Sequence, residues 1–263
     1  MTKNYITPLL LVLLLIGIML VSCAQPSSSP SPAKTPKPTQ APTPMPTQAP
    51  APMPTSDTSM WTIFSEMQVS LENDPTSQWQ VSGTFADKTA SAGILYIKTN
   101  GTLTGLFTHP EERFDNAVGS TVEIKMKLLE GPATDHDASL FSLQDGMREG
   151  KISFFSDRIE IRDQNTLRTT HKMDTGDGFH IYRLALVKDT FDVYVDGERV
   201  ASITLGSQIS NKVVIFGDGS IGQGENIGAQ IEYIAYSIEG SVTPEGEAVI
   251  AKDEGGIPVI KPE

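Results

Sequence analysis

The sequence predicts an all-β fold, an antiparallel β-sandwich preceded by a disordered proline-rich linker. Three observations predict it. Apolar and polar residues alternate in short runs, turn signals rich in glycine and aspartate separate these runs, and no window after residue 80 has the apolar stripe of a helix. Many short strands joined by tight turns are typical of sandwiches and barrels.

Residues 1–22 have the pattern of a secretion signal. Lys3 gives a basic start, and residues 6–20 form an apolar run of about fifteen residues, which fits a signal-peptide core and is short for a membrane span. The run ends in Leu-Val-Ser-Cys-Ala at residues 20–24. This junction resembles the lipobox of bacterial lipoproteins, and the resemblance implies cleavage before Cys23 and its acylation, for example by palmitate. An ordinary secretory signal with a cysteine by chance is the alternative.

Cysteine count and charge restrict the function further. Cys23 is the only cysteine, so its acylation would leave no thiol for a disulfide or for catalysis. The formal net charge of −12 argues against nucleic acid as a partner of the folded part. We therefore expect an exported protein that a lipid bilayer holds through Cys23, with its domain outside the cytoplasm.

Residues 23–57 read as a tether. They hold most of the chain's prolines, and an eight-residue unit occurs twice, as TQAPTPMP at 39–46 and TQAPAPMP at 47–54. Such a stretch cannot bury a core and favours extended polyproline conformations. At about 3.1 Å per residue it would reach on the order of 100 Å. The expectation is a stalk, and a proline-motif ligand for a partner is the alternative.

Residues 58–243 have the composition of one domain, and residues 244–263, rich in Gly, Pro and acids, are expected to be a flexible tail. Residues 60–71 would hold either one helical turn or a first strand. Trp61 and Trp79 are expected to pack in the core or at an edge. Further strands are predicted, in chain order, at residues 94–97, 122–128, 140–143, 152–155, 159–162, 213–216 and 230–237.

The stretch 179–200 predicts three adjoining strands. Pairing Leu186 with Val193 and Leu184 with Val195 keeps the apolar side chains on one face and leaves residues 188–191 as the connection.

The next turn in this stretch is Asp196-Gly197, a strong hairpin signal. It places Tyr194 opposite Arg199, and a bulge is expected within 201–205.

These segments resemble the concanavalin A-like lectin/glucanase superfamily, including laminin-G-like domains. The resemblance covers about residues 79–238 and rests on segments 79–84, 119–123, 182–187, 193–200, 214–218 and 231–236. It implies a jelly-roll sandwich. It does not settle function, because the superfamily includes lectins, adhesion modules and glycosidases.

A glycoside hydrolase needs two carboxylates about 5–9 Å apart. The E-x-D-x-x-E or E-x-D-x-E string of glucanases in this superfamily does not occur in the sequence. Asp192 and Asp196 share a strand face but would lie about 13 Å apart. The sequence therefore predicts that the chain is not an enzyme.

Two loops carry candidate metal ligands. One contains Asp135 and Asp137, and the other contains Asp218. Hard oxygen ligands suit Ca²⁺, and the resemblance also allows a calcium site. Ordinary polar loops are the alternative, and no other cofactor is expected.

Candidate ligand contacts lie on the outward face of the three-strand stretch. They are Arg183, Asp192, Tyr194 and Arg199, and Arg158, Glu160 and Arg162 are expected to extend the same surface. The alternative is a set of cross-strand ion pairs. His180 is expected to begin a strand.

The sequence thus predicts a surface-exposed, lipid-anchored, non-catalytic module that binds carbohydrate. A structural or adhesion module that binds an envelope protein is the first alternative. A glucanase-type glycoside hydrolase is the second.

Overall fold

The computed structural model describes residues 61, 63–66, 79–101, 103–108, 114–220, 225–247 and 249, and of 63–66 the backbone only. The predicted signal peptide, Cys23 and the proline-rich tether lie outside the described residues, as does most of the predicted tail. Within the described ranges there is no helix long and apolar enough to cross a membrane.

The described residues form fifteen β-strands and no helix, arranged in two sheets whose strand pairs are all antiparallel. The first sheet consists of β1 (Ile63–Glu66), β3 (Asp87–Ser91), β4 (Ile94–Lys98), β6 (Ser120–Glu130), β11 (His180–Val187), β12 (Thr190–Val195), β13 (Glu198–Thr204) and β15 (Gly228–Ser237). The second sheet consists of β2 (Gln80–Ser82), β5 (Thr104–Thr108), β7 (Leu140–Asp145), β8 (Glu149–Phe155), β9 (Arg158–Asp163), β10 (Thr166–Lys172) and β14 (Lys212–Asp218).

Strand order follows the pattern of a β-sandwich. The first sheet runs β13-β12-β11-β6-β15-β4-β3, and β1 pairs with β15 on the edge that β4 also uses. The second sheet runs β10-β9-β8-β7-β14-β5-β2. The predicted fold class is confirmed, each predicted strand overlaps an observed one, and the ambiguous segment 60–71 contains a strand.

The core lies between the two sheets because alternate side chains of each strand point inward. On β6 these are Val122, Ile124 and Met126, all fully buried. Burying one such side chain stabilises a fold by about 1.5–3 kcal/mol. Trp79 lies in the same core, at 2% exposure, which confirms the expectation for this residue.

Several hairpins close through two-residue turns in which the first residue has a left-handed backbone. The φ angles are 51° at Ala92, 54° at Lys188 and 51° at Asp196. Two-residue turns with positive φ match the right-handed twist of the strands that they join.

The turn at Lys188 corrects the predicted register of β11 with β12. Leu186 faces Phe191, and Leu184 faces Val193, so the connection has two residues and not four. Phe191, predicted to lie in the loop, belongs to β12, and its ring is fully buried in the core. The shift is two residues, so the same side chains still face inward.

The Asp196-Gly197 turn is confirmed. Tyr194 faces Arg199, and the register shifts between Val193 and Tyr194, so a bulge occurs slightly before the predicted 201–205.

Candidate functional site: the polar face of the second sheet

The four predicted ligand contacts are neighbours on the outer face of the first sheet. Arg183 pairs with Tyr194, and Tyr194 pairs with Arg199. Arg183, Tyr194 and Asp192 are 5%, 5% and 2% exposed, and only the side chain of Arg199 is open to solvent. Trp61 and the backbone at Thr243 lie against Arg183, so another segment of the chain covers this part of the face.

Arg183 is the centre of the covered region. Its Nε donates a 2.7 Å hydrogen bond to Glu123 Oε2, and its Nη1 donates to the carbonyl of Thr243. Its guanidinium carbon lies 5.2 Å from the ring centroid of Trp61. Tyr233 donates from its hydroxyl to Glu123 Oε1 at 2.7 Å. The cover thus consists of Trp61 and of the segment after β15 that contains Thr243. Trp61 packs as the sequence predicts.

Asp192 contacts the other two predicted residues, Tyr194 and Arg199. It accepts a hydrogen bond from the Tyr194 hydroxyl at 3.3 Å and lies 3.5 Å from Arg199 Nη1. Burial and the Asp192 charge raise the pKa of Tyr194 to about 12. A ligand role for these residues stays a prediction.

A second set of polar side chains lies on the outer face of the other sheet. We call it the polar face, and it consists of Ser142 and Gln144 on β7, Glu149, Lys151 and Ser153 on β8, and Glu160 and Arg162 on β9. Glu149 is half-buried, and the other six are buried among one another and their partners. The expectation that Arg158, Glu160 and Arg162 extend the predicted surface is wrong, because β9 belongs to the second sheet.

Strand alternation creates the polar face. Ile152 and Phe154 of β8 point into the core, so the residues between them point outward. The register places Ser142 opposite Lys151, and Lys151 opposite Arg162, in one row across three strands.

One half of the polar face centres on Glu149. Its Oε1 accepts hydrogen bonds from Ser142 Oγ at 3.0 Å and from Gln144 Nε2 at 2.9 Å. Beside it, Lys151 Nζ donates to Asp137 Oδ1 at 2.8 Å and to Asn165 Oδ1 at 3.2 Å. Each of these charges is therefore held in a fixed position by a neighbour.

The other half centres on Glu160, which lies between two arginines. Arg162 donates to Oε2 through Nη2 at 3.0 Å and through Nε at 3.3 Å. Arg158 donates to Oε1 through Nε and Nη2, both at 3.2 Å, and its guanidinium carbon lies 3.8 Å from the ring centroid of Phe155.

Two hydrogen-bonding atoms of the polar face have no protein partner in the described part of the chain. They are Ser153 Oγ and Gln144 Oε1, and both are buried. Buried polar atoms normally have a partner, and Asp192 Oδ1 on the outer face of the first sheet also lacks one in the described part of the chain, so this feature does not distinguish the two faces.

Sequence reasoning missed Ser142, Gln144, Glu149, Lys151 and Ser153. Their signal was present in part, because four of them are polar residues at alternate positions of a predicted strand or next to one, whereas Glu149 lies three residues before the predicted strand 152–155. Alternation alone does not say which outward faces belong to the same sheet, so the rows across strands could not be assembled.

The candidate calcium ligands separate into two groups. Asp135 Oδ2 and Asp218 Oδ1 both lie within hydrogen-bond distance of Ser220 Oγ, at 3.0 Å and 2.6 Å. Asp137 instead faces Lys151. Burial raises the pKa of Asp218 even though Ser220 donates to it. Within the described ranges no group of three or more His, Cys, Asp or Glu side chains is arranged to hold a metal ion, and calcium binding stays a prediction.

Comparisons with known proteins identify the fold. No family model matches the chain, and no curated protein matches its sequence. An apo structure of Crh5 transglycosylase is similar at a TM-score of 0.50 and 13% identity, over 68% of this chain and 85% of that one. A β-1,3-1,4-glucanase (lichenase) from a mouse hindgut metagenome has a TM-score of 0.45 and 14% identity, over 66% and 98%. The binding domain of botulinum neurotoxin DC in complex with SialylT has a TM-score of 0.45 and 10% identity, over 69% and 49%.

The similarity to the transglycosylase structure shows the β-sandwich fold. It also corrects one expectation. The sequence predicts from the missing acid string that the chain is not an enzyme, but a solved structure that shares its fold at a TM-score of 0.50 is a transglycosylase. The shared fold assigns no reaction to this chain, and the exclusion of enzymes does not stand.

Proposed function

We propose that the described domain binds carbohydrate through the polar face of its second sheet. The observation that supports this most is the set of seven polar side chains that lie in rows across three adjacent strands. The cell-envelope setting is part of the proposal and rests on the lipobox-like residues 20–24.

The chemistry of the face suits a sugar. A sugar hydroxyl both donates and accepts a hydrogen bond, so it complements a face that offers both kinds of group. Ser153 offers a hydroxyl, Gln144 an acceptor, and Lys151 and the two guanidinium groups offer further N–H donors. Since their salt-bridge partners already fix these side chains, a ligand would lose little binding energy to ordering them.

The test is a glycan-binding assay on the full-length protein with two matched variants. Lys151→Met removes a nearly buried lysine from the polar face. Lys125→Met removes an equally buried lysine, also 2.8 Å from one carboxylate, from the first sheet. We expect Lys151→Met to weaken binding by roughly tenfold, the value of one charge-assisted hydrogen bond, and Lys125→Met to leave it unchanged.

A blank result across β-glucans, chitin oligosaccharides and envelope glycans would contradict the proposal. Equal losses in both variants would contradict the choice of face. Chromatography of the recovered oligosaccharides in the same assay measures whether the protein cuts or transfers the sugars that it binds.

A further inference from the structure

The polar face and its direct salt-bridge partners carry almost no net charge, although the whole chain carries a formal charge of −12. Three cations and four carboxylates lie there. The cations are Lys151, Arg158 and Arg162, and the carboxylates are Asp137, Glu149, Asp157 and Glu160. Most of the acidic surplus of the protein therefore lies elsewhere.

Each cation of the face is already committed to a carboxylate. Lys151 faces Asp137, and Arg158 and Arg162 each bring two nitrogens, Nε and Nη2, to one oxygen of Glu160. That edge of a guanidinium group is also the edge that a ligand carboxylate, sulfate or phosphate would bind. Glu160 therefore occupies the anion-binding edge of both arginines.

We propose that the polar face takes uncharged glycans, and that Glu160 is the residue that excludes anionic ones. This inference rests on the proposed function of the face. It adds a ligand class, neutral sugars as opposed to uronate, sialylated or sulfated sugars, and a residue that determines the choice.

The exclusion has two physical causes. An anionic sugar would have to displace Glu160, and this carboxylate, whose side chain is 11% exposed, would then be left in a buried place without a counter-charge. The net negative charge of the chain also repels a polyanion during approach. A neutral sugar meets neither obstacle. The Nη1 groups of Arg158 and Arg162 donate to Asp157 and to the Asn165 carbonyl, and each has a second N–H that can donate to a sugar hydroxyl while these bonds and the Glu160 pairs are kept.

The experiment compares matched probes that differ in charge. Cellohexaose and laminarihexaose are each tested against their C6-oxidised, carboxylate-bearing counterparts by calorimetry with the full-length protein. We expect the native protein to bind one of the neutral probes at least about tenfold more tightly than its oxidised form. Glu160→Gln, which keeps the shape and removes the charge, should tighten binding of the oxidised probe by roughly tenfold.

Two further variants keep the result interpretable. Glu232→Gln removes a carboxylate that pairs with Lys125 on the first sheet. It should leave unchanged the ratio of the affinity for the neutral probe to the affinity for the oxidised probe. Asp137→Asn frees Lys151 near the rim of the face, where the Asp137 side chain is 31% exposed, and should shift the ratio in the same direction as Glu160→Gln even if that variant fails to fold.

The outcomes separate the two proposals. A native protein that prefers the oxidised probe, or a Glu160→Gln protein that folds and keeps the native ratio, would overturn the inference and leave carbohydrate binding intact. A native protein that binds neither form of either probe, nor any other glycan, would overturn the proposed function and the inference with it.

Discussion

His180 connects a loop to a hairpin turn through two carboxylates. Its Nδ1 lies 2.7 Å from Asp196 Oδ2, and its Nε2 lies 2.8 Å from Asp177 Oδ1. Burial lowers the pKa of His180, but the hydrogen bonds and charges of both aspartates outweigh burial and raise the pKa above 6.5. The only other titratable group that the structure shows against its ring is the buried Tyr182. The protonated imidazolium can donate to both carboxylates at once, which neutral imidazole cannot do.

We call the contacts of protonated His180 with Asp177 and Asp196 the His180 clamp. The clamp predicts that the fold loses stability at alkaline pH. Because the pKa is higher in the folded state, the stabilisation is fully present below the unfolded pKa of 6.5 and is lost as the pH rises through the folded pKa. The free energy of unfolding of the native protein should exceed that of His180→Gln most at about pH 5–6, and the difference should shrink towards about pH 9. Urea unfolding across this range measures it, and a difference that does not change with pH would contradict the clamp.

At the residue scale the sequence predicted the pair beside the Asp196-Gly197 turn, but neither the pairs beside Lys188 nor the burial of these side chains. It placed Tyr194 beside Arg199 correctly, because a two-residue turn fixes local pairs. It could not predict that Arg183 is covered, since the covering groups are Trp61 and Thr243, which are distant along the chain.

Among the strands, β8 contains a glycine that the packing of the two sheets requires. Gly150 faces the core, and a Cβ atom at this position would fall against the ring of Phe191 from the first sheet. The absence of a side chain on β8 therefore makes room for a large one on β12. This is the interlocking that close-packed interiors require.

Gly150→Ala should destabilise the fold by about 1–3 kcal/mol, the usual cost of overpacking a core. Gly178→Ala is the matched control, because nothing lies within 4 Å of the Cβ that it would add. Thermal and chemical unfolding of both variants measure the difference. Equal stability of the two variants would show that the Phe191 ring can move aside.

Sequence periodicity missed three strands, β3, β5 and β10. β5 is a short, mostly buried strand between β14 and β2, with too few residues to show a period. Most side chains of β3 and β10 are exposed and polar and have no period of two in hydrophobicity. β3 and β10 are edge strands. Their assignment depends on backbone pairing with β4 and β9, which a hydrophobic pattern does not report.

The two sheets are tied together at one side of the sandwich by Asp163 of β9. Its carboxylate lies 2.5 Å from Arg168 Nη2 on β10, and it accepts from the backbone N–H groups of Gly206 at 2.9 Å and Ser207 at 3.3 Å, just beyond β13. Burial would raise the pKa of Asp163, but these hydrogen bonds outweigh it and hold the pKa below 3.8.

Asp163 predicts the opposite pH dependence to His180. Since its pKa is lower in the folded state, the stabilisation is present above 3.8 and is lost as the pH falls through the folded pKa. Asp163→Asn should therefore lower the free energy of unfolding at neutral pH. The difference in this free energy between the native protein and the variant should become smaller as the pH falls. Asp87→Asn, an exposed change on β3, is the control and should have little effect at any pH.

For the whole molecule, the sequence predicted the fold class and not the location of the candidate site. Alternation and turn signals are local, and they suffice to predict a sandwich. The polar face depends on Ser142, Lys151 and Arg162 forming one row across β7, β8 and β9, and on Asp137 and Asn165 approaching from loops. That arrangement is a property of the assembled sheet.

Strand β15 has a consequence for how the chain folds. It is the last strand in sequence, and it lies at the centre of the first sheet, paired with β6 on one side and with β4 and β1 on the other. Strands β7 to β10 and β11 to β13 can form early as consecutive hairpins, because their contacts are local. Without β15, however, the first sheet consists of separate pieces. The pairing of β15 with β4 and β6 should therefore limit the folding rate. A chain released before residue 228 would leave the edges of β4 and β6 unpaired, and a neighbouring chain could form a sheet with them.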